Sequence, residues 1–314
     1  MRVTEAMLHR TTLGDVSRQR ARLARTQEQA SSGLVINRPS DDPVGAGLAT
    51  TLEARIAALA QQARNVSQAR GRVAAGETAI ADAVQVLVRA RELALEGANG
   101  SQDATSRAQI AKEVQGLHDQ MLALANTRMD GAYLFAGYAT DAPAFSTTGA
   151  FSSPPPTVPA VTYDGDGNPI QVEIQDGVRV TVNGDGRRAF LGDADGNGVP
   201  DAGREDVFSV LGDLWQGLQN DDPAAVSAAL PRIDRALDQL SLERTDFGAA
   251  AQQLDTAETQ LGQRKLDAEK RLSTLRDADM ATVVSNLAQQ QAALQAGLQG
   301  MAQVVQLSLL DFLS

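Results

Sequence analysis

The chain has 314 residues, of which 43% are hydrophobic and 4% aromatic, and a formal net charge of −11. It contains no cysteine, which excludes disulfides, thiolate metal sites and a cysteine nucleophile, and so acidic a chain, with no broad basic surface, predicts no nucleic-acid partner. No stretch reaches the roughly 18 apolar residues of a membrane span, and the amino terminus has no apolar core of a secretory signal, so neither a membrane partner nor a general secretory route is expected.

Residues 1 to about 32 are helix-prone, with Val3, Met7, Leu8, Leu13, Val16 and Leu23 on a polar background. Seven arginines stand against three acidic residues in residues 1–40, which reads as a solvated face. Ser31-Ser32-Gly33 interrupts the pattern, and Ile36-Asn37-Arg38-Pro39-Ser40-Asp41-Asp42-Pro43 follows. The two prolines bar a continuous helix, while Ser and Asp side chains can bond nearby N–H groups. The expectation is therefore an ordered turn, with Asp42 or Asp41 capping a helix whose first residue is Pro43.

In that next helix Leu52, Leu59, Val66, Val73, Ile80, Leu87 and Ala94 are spaced seven apart, with Ile56, Ala63 and Val84 between them. About fifty helical residues span roughly 75 Å. Gly97-Ala98-Asn99-Gly100 ends it, and a second helix carrying Ile110, Val114, Leu117, Met121 and Leu124 should fold back antiparallel.

Composition shifts at about Asp141. Residues 141–206 hold seven of the eleven prolines and ten of the 27 glycines, with eleven acidic residues against four basic. The alternating runs Gln171–Ile174 and Val178–Val182 predict two strands joined by a turn containing Gly177. Helix resumes at Val207, Asn220-Asp221-Asp222-Pro223 reads as a turn and cap, and Ile233, Leu240, Phe247, Leu254, Leu261, Ala268 and Leu275 form a second series spaced seven apart.

The last stretch is nearly chargeless. From Ala281 to the end Asp311 is the one charged residue, and Val284, Leu287, Leu294, Leu298, Met301, Val305 and Phe312 fall on an a/d repeat, with Gln291 and Ser308 at two of its positions. Such a helix would be a liability on a monomer, and these seven residues are the candidate assembly interface. The fold class expected is mainly α: a long antiparallel helical-bundle or coiled-coil rod (45–140 and 207–276), a small inserted β-rich domain (141–206), and terminal assembly helices (1–44 and 277–314).

No constellation for catalysis emerges. His9 and His118 lie on predicted helices among polar neighbours and read as surface or boundary histidines, while Phe208 and Trp215 read as core. One stretch fits a metal: Asp193, Asp195, Asn197 and Asp201 stand at positions 1, 3, 5 and 9 of a calcium loop, with Gly198 at position 6. Position 12 is Arg204 rather than the bidentate glutamate, with Glu205 adjacent, and the same residues suit a plain turn. Both readings stay open, with calcium the one cofactor considered.

The segment from Ser31 to Pro43 resembles the amino-terminal signature of the bacterial flagellin superfamily, and Leu287–Ala296 with Gln306–Leu313 resembles its carboxy-terminal one. Asn126-Thr127-Arg128-Met129-Asp130-Gly131-Ala132-Tyr133-Leu134-Phe135-Ala136-Gly137 is similar to the segment that marks the hook-associated type 3 branch, and Ser308–Leu313 suits that branch too. The stretch Phe247–Leu254 departs, with Ala251 and Gln253 where the family commonly has a larger polar pair. The resemblance implies a non-enzymatic extracellular component of the flagellum, exported unfolded through the flagellar type III channel without a cleaved signal peptide. It implies terminal helices that are disordered in the free monomer and order in the assembled tube. It implies a junction between hook and filament, with partners in the other junction protein FlgK, flagellin, further copies of the chain in a ring, and an export chaperone. A filament flagellin, and a coiled-coil adhesin or tail-fibre-like protein, remain as alternatives.

Overall fold

The computed structural model describes residues 5–175 and 177–313, with side chains described for 10–300 apart from Asp176, and for Ala302. The fold is mainly α with small antiparallel strand pairs. In chain order it runs α1 (Glu5–Ser32), α2 (Pro43–Ala98), α3 (Ala104–Ala125), β1 (Arg128–Met129), β2 (Ala132–Tyr133), β3 (Phe145–Thr148), β4 (Ala160–Tyr163), β5 (Gln171–Gln175), β6 (Val178–Thr181), a π-helical turn (Arg187–Leu191), α4 (Val207–Gln219), α5 (Pro223–Arg276) and α6 (Met280–Leu313). The chain divides into two compact units, one of 1–60 with 263–314 and one of 61–262; α2 and α5 contribute residues to both. Among the described residues no helix is long and apolar enough to cross a membrane.

In the unit of 61–262 the two series spaced seven apart become the core. Val66, Val73, Ile80, Leu87 and Ala94 of α2, and Ile233, Leu240, Leu254 and Leu261 of α5, are buried. The two helices are antiparallel, because contacts advance along α2 as they retreat along α5. Arg70 meets Glu258 at 2.8 Å, Gly76 lies against the Phe247 ring, and Arg91 meets Asp234 at 2.7 Å. Farther along, Gly97 lies against Val226. The α3 helix folds back on α2 as expected, with Arg89 Nε on Glu113 at 2.7 Å and Arg107 Nε donating to the Gly97 carbonyl at 2.9 Å. The buried Arg107 also pairs with Asp221, so one guanidinium ties the end of α2 to the turn before α5.

After α3 the chain turns back at Asp130-Gly131, both with positive φ (52° and 84°), the Asp-Gly geometry of a tight hairpin joining β1 and β2. Pairing of β5 with β6 follows the expected alternation, with Gly177 at φ 76° in the turn. The β3–β4 hairpin has no such announcement in the sequence, because its four-residue strands are separated by the proline-rich loop 149–159.

Aromatic packing holds these hairpins to the helices. Phe135 stacks edge-on with Phe190 (5.3 Å) and Phe247 (6.4 Å), and Phe145 lies near Phe190 (5.6 Å) and Phe208 (5.5 Å). Each such ring buries on the order of 1.5–3 kcal/mol of transfer energy, and each pair adds about 0.5–1.5 kcal/mol. Phe208 and Trp215 are core, as their positions predict, but His118 is buried rather than at the surface. The His9 side chain lies outside the described residues.

Ion pairs complete the attachment. Arg188, at the π-helical turn, reaches Glu243 and Asp246 of α5, both at 2.7 Å. Burial, with Asp246 adding to it, pushes the Glu243 carboxyl up despite Arg188. Glu205 is pushed up by burial too, but its bonds to Arg232 and Arg235 outweigh that and hold it below the ordinary range.

The close approach at Gly76 gives a direct test of the helix pairing. A Cβ there would sit 2.5 and 2.7 Å from two atoms of the Phe247 ring, whereas one at Gly248 meets nothing within 4 Å. Gly76→Ala is expected to lower stability by about 1–2 kcal/mol, overpacking outweighing the gain in helix propensity. Gly248→Ala should raise it by up to about 1 kcal/mol. Denaturant unfolding followed by far-UV circular dichroism checks both signs.

Candidate assembly surface

In the unit of 1–60 with 263–314, α1 packs against α6. On α1 the residues withdrawn from solvent include Thr12, Val16, Gln19, Leu23 and Thr26, at alternating spacings of four and three. On α6 they are Val283, Leu287, Gln290 and Leu294, in the same rhythm. Both seams are thin, because Thr and Gln occupy positions where a stable pair of helices carries Leu or Ile. The Gln290 side-chain oxygen is buried without a hydrogen-bond partner.

This placement splits the expected interface. Leu287 and Leu294 are half-buried in the seam, whereas Val284 (55% exposed) and Leu298 (40% exposed) face solvent. Val283, 7% exposed, takes the inward position that the repeat assigned to Val284. Two adjacent valines make the register degenerate in the sequence, and packing on α1 selects one. The side chains of Met301, Val305 and Phe312 lie outside the described residues. Leu13, Val35, Val44, Leu48, Leu266 and Met280 add to the uncovered apolar surface of this unit.

The segments that lead into these helices are tightly ordered. Leu34 and Asp277 form an antiparallel bridge, with Val35 N donating to the Arg276 carbonyl at 2.7 Å and Ala278 N to the Gly33 carbonyl at 2.8 Å. Gly33 takes φ 73°, a left-handed turn out of α1 that a side chain would strain. Asp41 accepts from the amides of Asn37 and Arg38, and Asp42 accepts from Val44 (3.1 Å) and Gly45 (2.9 Å). Asp42 is thus the cap of α2, with Pro43 as its first residue. Ile36 is buried beside Gly45, where an added Cβ would strike both Ile36 and the Asp42 carboxylate. At the start of α6, Asp279 accepts from the Thr282 hydroxyl (2.8 Å) and the Ala281 amide (3.0 Å), and these bonds hold its carboxyl below the ordinary range. The Glu53 carboxylate of α2 pairs with Arg276 across the same region.

The second candidate, the loop at 193–201, is brought together by bonds between its own side chains and amides. Asp193 is buried, and its carboxylate accepts from the amides of Gly196 (2.7 Å), Asn197 (3.1 Å) and Gly198 (2.9 Å). Asp195 accepts from both nitrogens of Asn197, Asn197 Oδ1 from Val199, and Asp201 from the amide of Ala194. Arg204 at position 12 turns to the Arg188 carbonyl, and Glu205 is engaged by Arg232 and Arg235 at 2.9 Å each. Among the described residues no group of three or more His, Cys, Asp or Glu is placed to hold a metal ion. The plain-turn reading of Asp193, Asp195, Asn197 and Asp201 accounts for these bonds, and the calcium reading of the same four residues is separated from it by titration.

The sequence matches the bacterial flagellin N-terminal helical region over residues 3–140 and the bacterial flagellin C-terminal helical region over residues 230–313. Together these account for most of the chain. The chain belongs to the bacterial flagellin family. Within that family it is 27% identical to flagellar hook-associated protein 3 of Salmonella typhimurium, covering 94% of each chain. It is 25% identical to the protein of the same name from Escherichia coli, covering 98% of each. The crystal structure of Xanthomonas campestris FlgL shares its fold, with a TM-score of 0.59 at 20% identity over 71% of this chain and 99% of that one. The two flagellin matches take in the whole of α1, α2 and α6 and the bulk of α5, so the thin terminal seam and its uncovered stripe belong to the family part of the chain. The loop at 193–201 lies outside both matches.

If the loop is held by its amides alone, calcium adds nothing to it. Calorimetric titration with calcium is expected to show no saturable heat. Asp193→Ala, which strands three amides, should lower stability by about 1–2 kcal/mol whether or not calcium is present. A thermal midpoint raised by calcium in the unaltered chain and not in the variant would decide for the metal reading.

Proposed function

We propose that the chain is the structural junction protein between the hook side of the bacterial flagellum and the flagellin filament, working by assembly and not by catalysis. The observation that carries this reading is the apolar stripe of α6, where Val284 and Leu298 stay exposed even after α6 has packed on α1. A surface of this kind, on a helix whose one charge is Asp311 near its far end, is built to be covered by other chains. Relatives of nearly the same full length carry the name flagellar hook-associated protein 3, which supports the junction position over the filament.

In this reading residues 1–44 and 277–314 are the assembly segments, 45–140 with 207–276 form the helical body, and 141–206 is an inserted β-rich domain. Val284, Leu287, Leu294, Leu298, Met301, Val305 and Phe312 form the assembly interface, in contact with further copies of the chain in a ring. FlgK on the hook side and flagellin on the filament side are the neighbouring layers. The chain leaves the cell unfolded, by the flagellar export route with an export chaperone, and works outside it.

Leu298→Asp tests the reading. It would bury an unpaired charge at the assembled contact, at a cost of several kcal/mol per subunit that recurs around the ring. Because Leu298 is exposed in the single chain, circular dichroism of the isolated variant should be unchanged. Cells carrying it are expected to build hooks, fail to retain filaments and release flagellin into the medium. Normal filaments and swimming, with the variant exported at ordinary levels, would overturn the proposal.

A further inference from the structure

His118 stands apart among the buried polar residues. Arg107, Gln239 and Glu243 are each bonded to a carbonyl or an opposite charge. His118 is 1% exposed, and neither ring nitrogen has a hydrogen-bond partner. Its imidazole lies edge-on to Phe151 at 5.0 Å and to Phe208 at 5.7 Å, and Phe151 packs on Trp215 at 4.9 Å. The histidine comes from α3, and Phe208 and Trp215 come from α4.

Phe151 comes from the proline-rich loop 149–159, which closes on itself through paired backbone hydrogen bonds between Ser152 and Thr157. Three contacts fasten it to the helices: Phe151 in the aromatic box, Val158 against Gly212, and the Gln216 amide donating to the Pro156 carbonyl at 3.2 Å. The loop carries no titratable residue. Two carboxylates act on the imidazole. Asp119 on α3 has an oxygen 3.7 Å from Nδ1, and Asp206 caps α4 with its oxygens taken by Phe208, Ser209 and the Ser209 hydroxyl. The other acid of α4, Asp213, is paired with Arg232.

We infer that His118 is an acid-sensitive latch for the loop 149–159: uncharged, it seats Phe151, and once protonated it lifts the loop and bares Phe208 and Trp215. An imidazolium carries two N–H donors and a charge, and the closed box offers water to neither. Lifting Phe151 is the least disruptive way to hydrate it, because the other two walls are helices of the core. Burial holds the imidazole of the closed state below its ordinary value, outweighing Asp119 and Asp206. The sign follows. Closure is fully favoured above the open-state value of about 6.5, and weakens by up to tenfold per pH unit as pH falls below it.

Trp215 is the single tryptophan and is 2% exposed, so it reports the latch directly. In the full chain, iodide quenching of Trp215 and hydrogen exchange of residues 150–158, corrected for intrinsic rates, are followed from pH 8 to 4.5. Both are expected to rise below about pH 6.5, reversibly and without loss of far-UV circular dichroism. His118→Leu should keep the loop closed across the whole range. Phe151→Ala, which leaves the histidine in place, should be open at pH 7.5 and should return His118 to an ordinary titration by NMR. A flat response in the unaltered chain, an unchanged transition in His118→Leu, or a transition that coincides with global unfolding would each overturn the latch. Should His118→Leu not fold, a closed Phe151→Ala loop would do the same.

Discussion

Burial of one apolar stripe on α2 against one on α5 is the constraint on which the unit of 61–262 depends. Each helix presents a large apolar residue or an alanine at every seventh position, and the antiparallel pair meets at Arg70 with Glu258, Gly76 with Phe247, Arg91 with Asp234 and Gly97 with Val226. Small residues set the spacing at two points: Gly76 admits the Phe247 ring, and Gly97 admits Leu218 and Val226. With that pair in place, α3 and α4 have a surface to close on and the hairpins have one to grip. The grip is mostly aromatic. Six of the seven phenylalanines and the lone tryptophan lie in one connected set of ring contacts, joined through His118.

Charge then fixes which surface meets which. Glu243 is buried and is held from the π-helical turn by Arg188, while Glu205 accepts from Arg232 and Arg235 on α5. Such buried pairs add little net stability against an apolar replacement, but breaking one partner leaves a charge stranded. They therefore act as registration points between the insertion and α5. The opposite directions of the Glu243 and Glu205 shifts record the balance: Glu205 has two guanidiniums in close contact, and burial prevails at Glu243.

The same helical grammar gives a different result in α1 and α6. Their seam has the right spacing, but Thr12, Gln19, Thr26 and Gln290 occupy places that leucine holds in α2 and α5. A helix gains most of its stability from the face it buries, and here that face is narrow, with valine and leucine left outside it. A pair of helices that is incomplete alone and apolar on its outer side fits a part whose final partners are other chains. The bridge between residues 34 and 277, and the caps at Asp42 and Asp279, keep the entry to this pair ordered.

Features set by near neighbours along the chain are legible in the amino-acid sequence alone. The helix spans, the two seven-residue stripes, the turn before Pro43 with Asp42 as cap, the Asp222-Pro223 start of α5 and the β5–β6 hairpin all follow from period, capping chemistry and turn residues, which act within a few positions of the chain. Features set by what closes over a residue are not legible in this way. Val283 and Val284 are equivalent as a pattern, and only the α1 surface makes one inward and one outward. His118 has polar neighbours along the helix, and it becomes buried because Phe151 and Phe208 arrive from segments far away in the chain. The four residues Asp193, Asp195, Asn197 and Asp201 have the spacing of a metal loop and the composition of a turn, and which amides their oxygens accept from depends on the folded backbone. Sequence period determines which face of a helix is apolar, and tertiary contact alone decides what that face, or a buried side chain on it, finally meets.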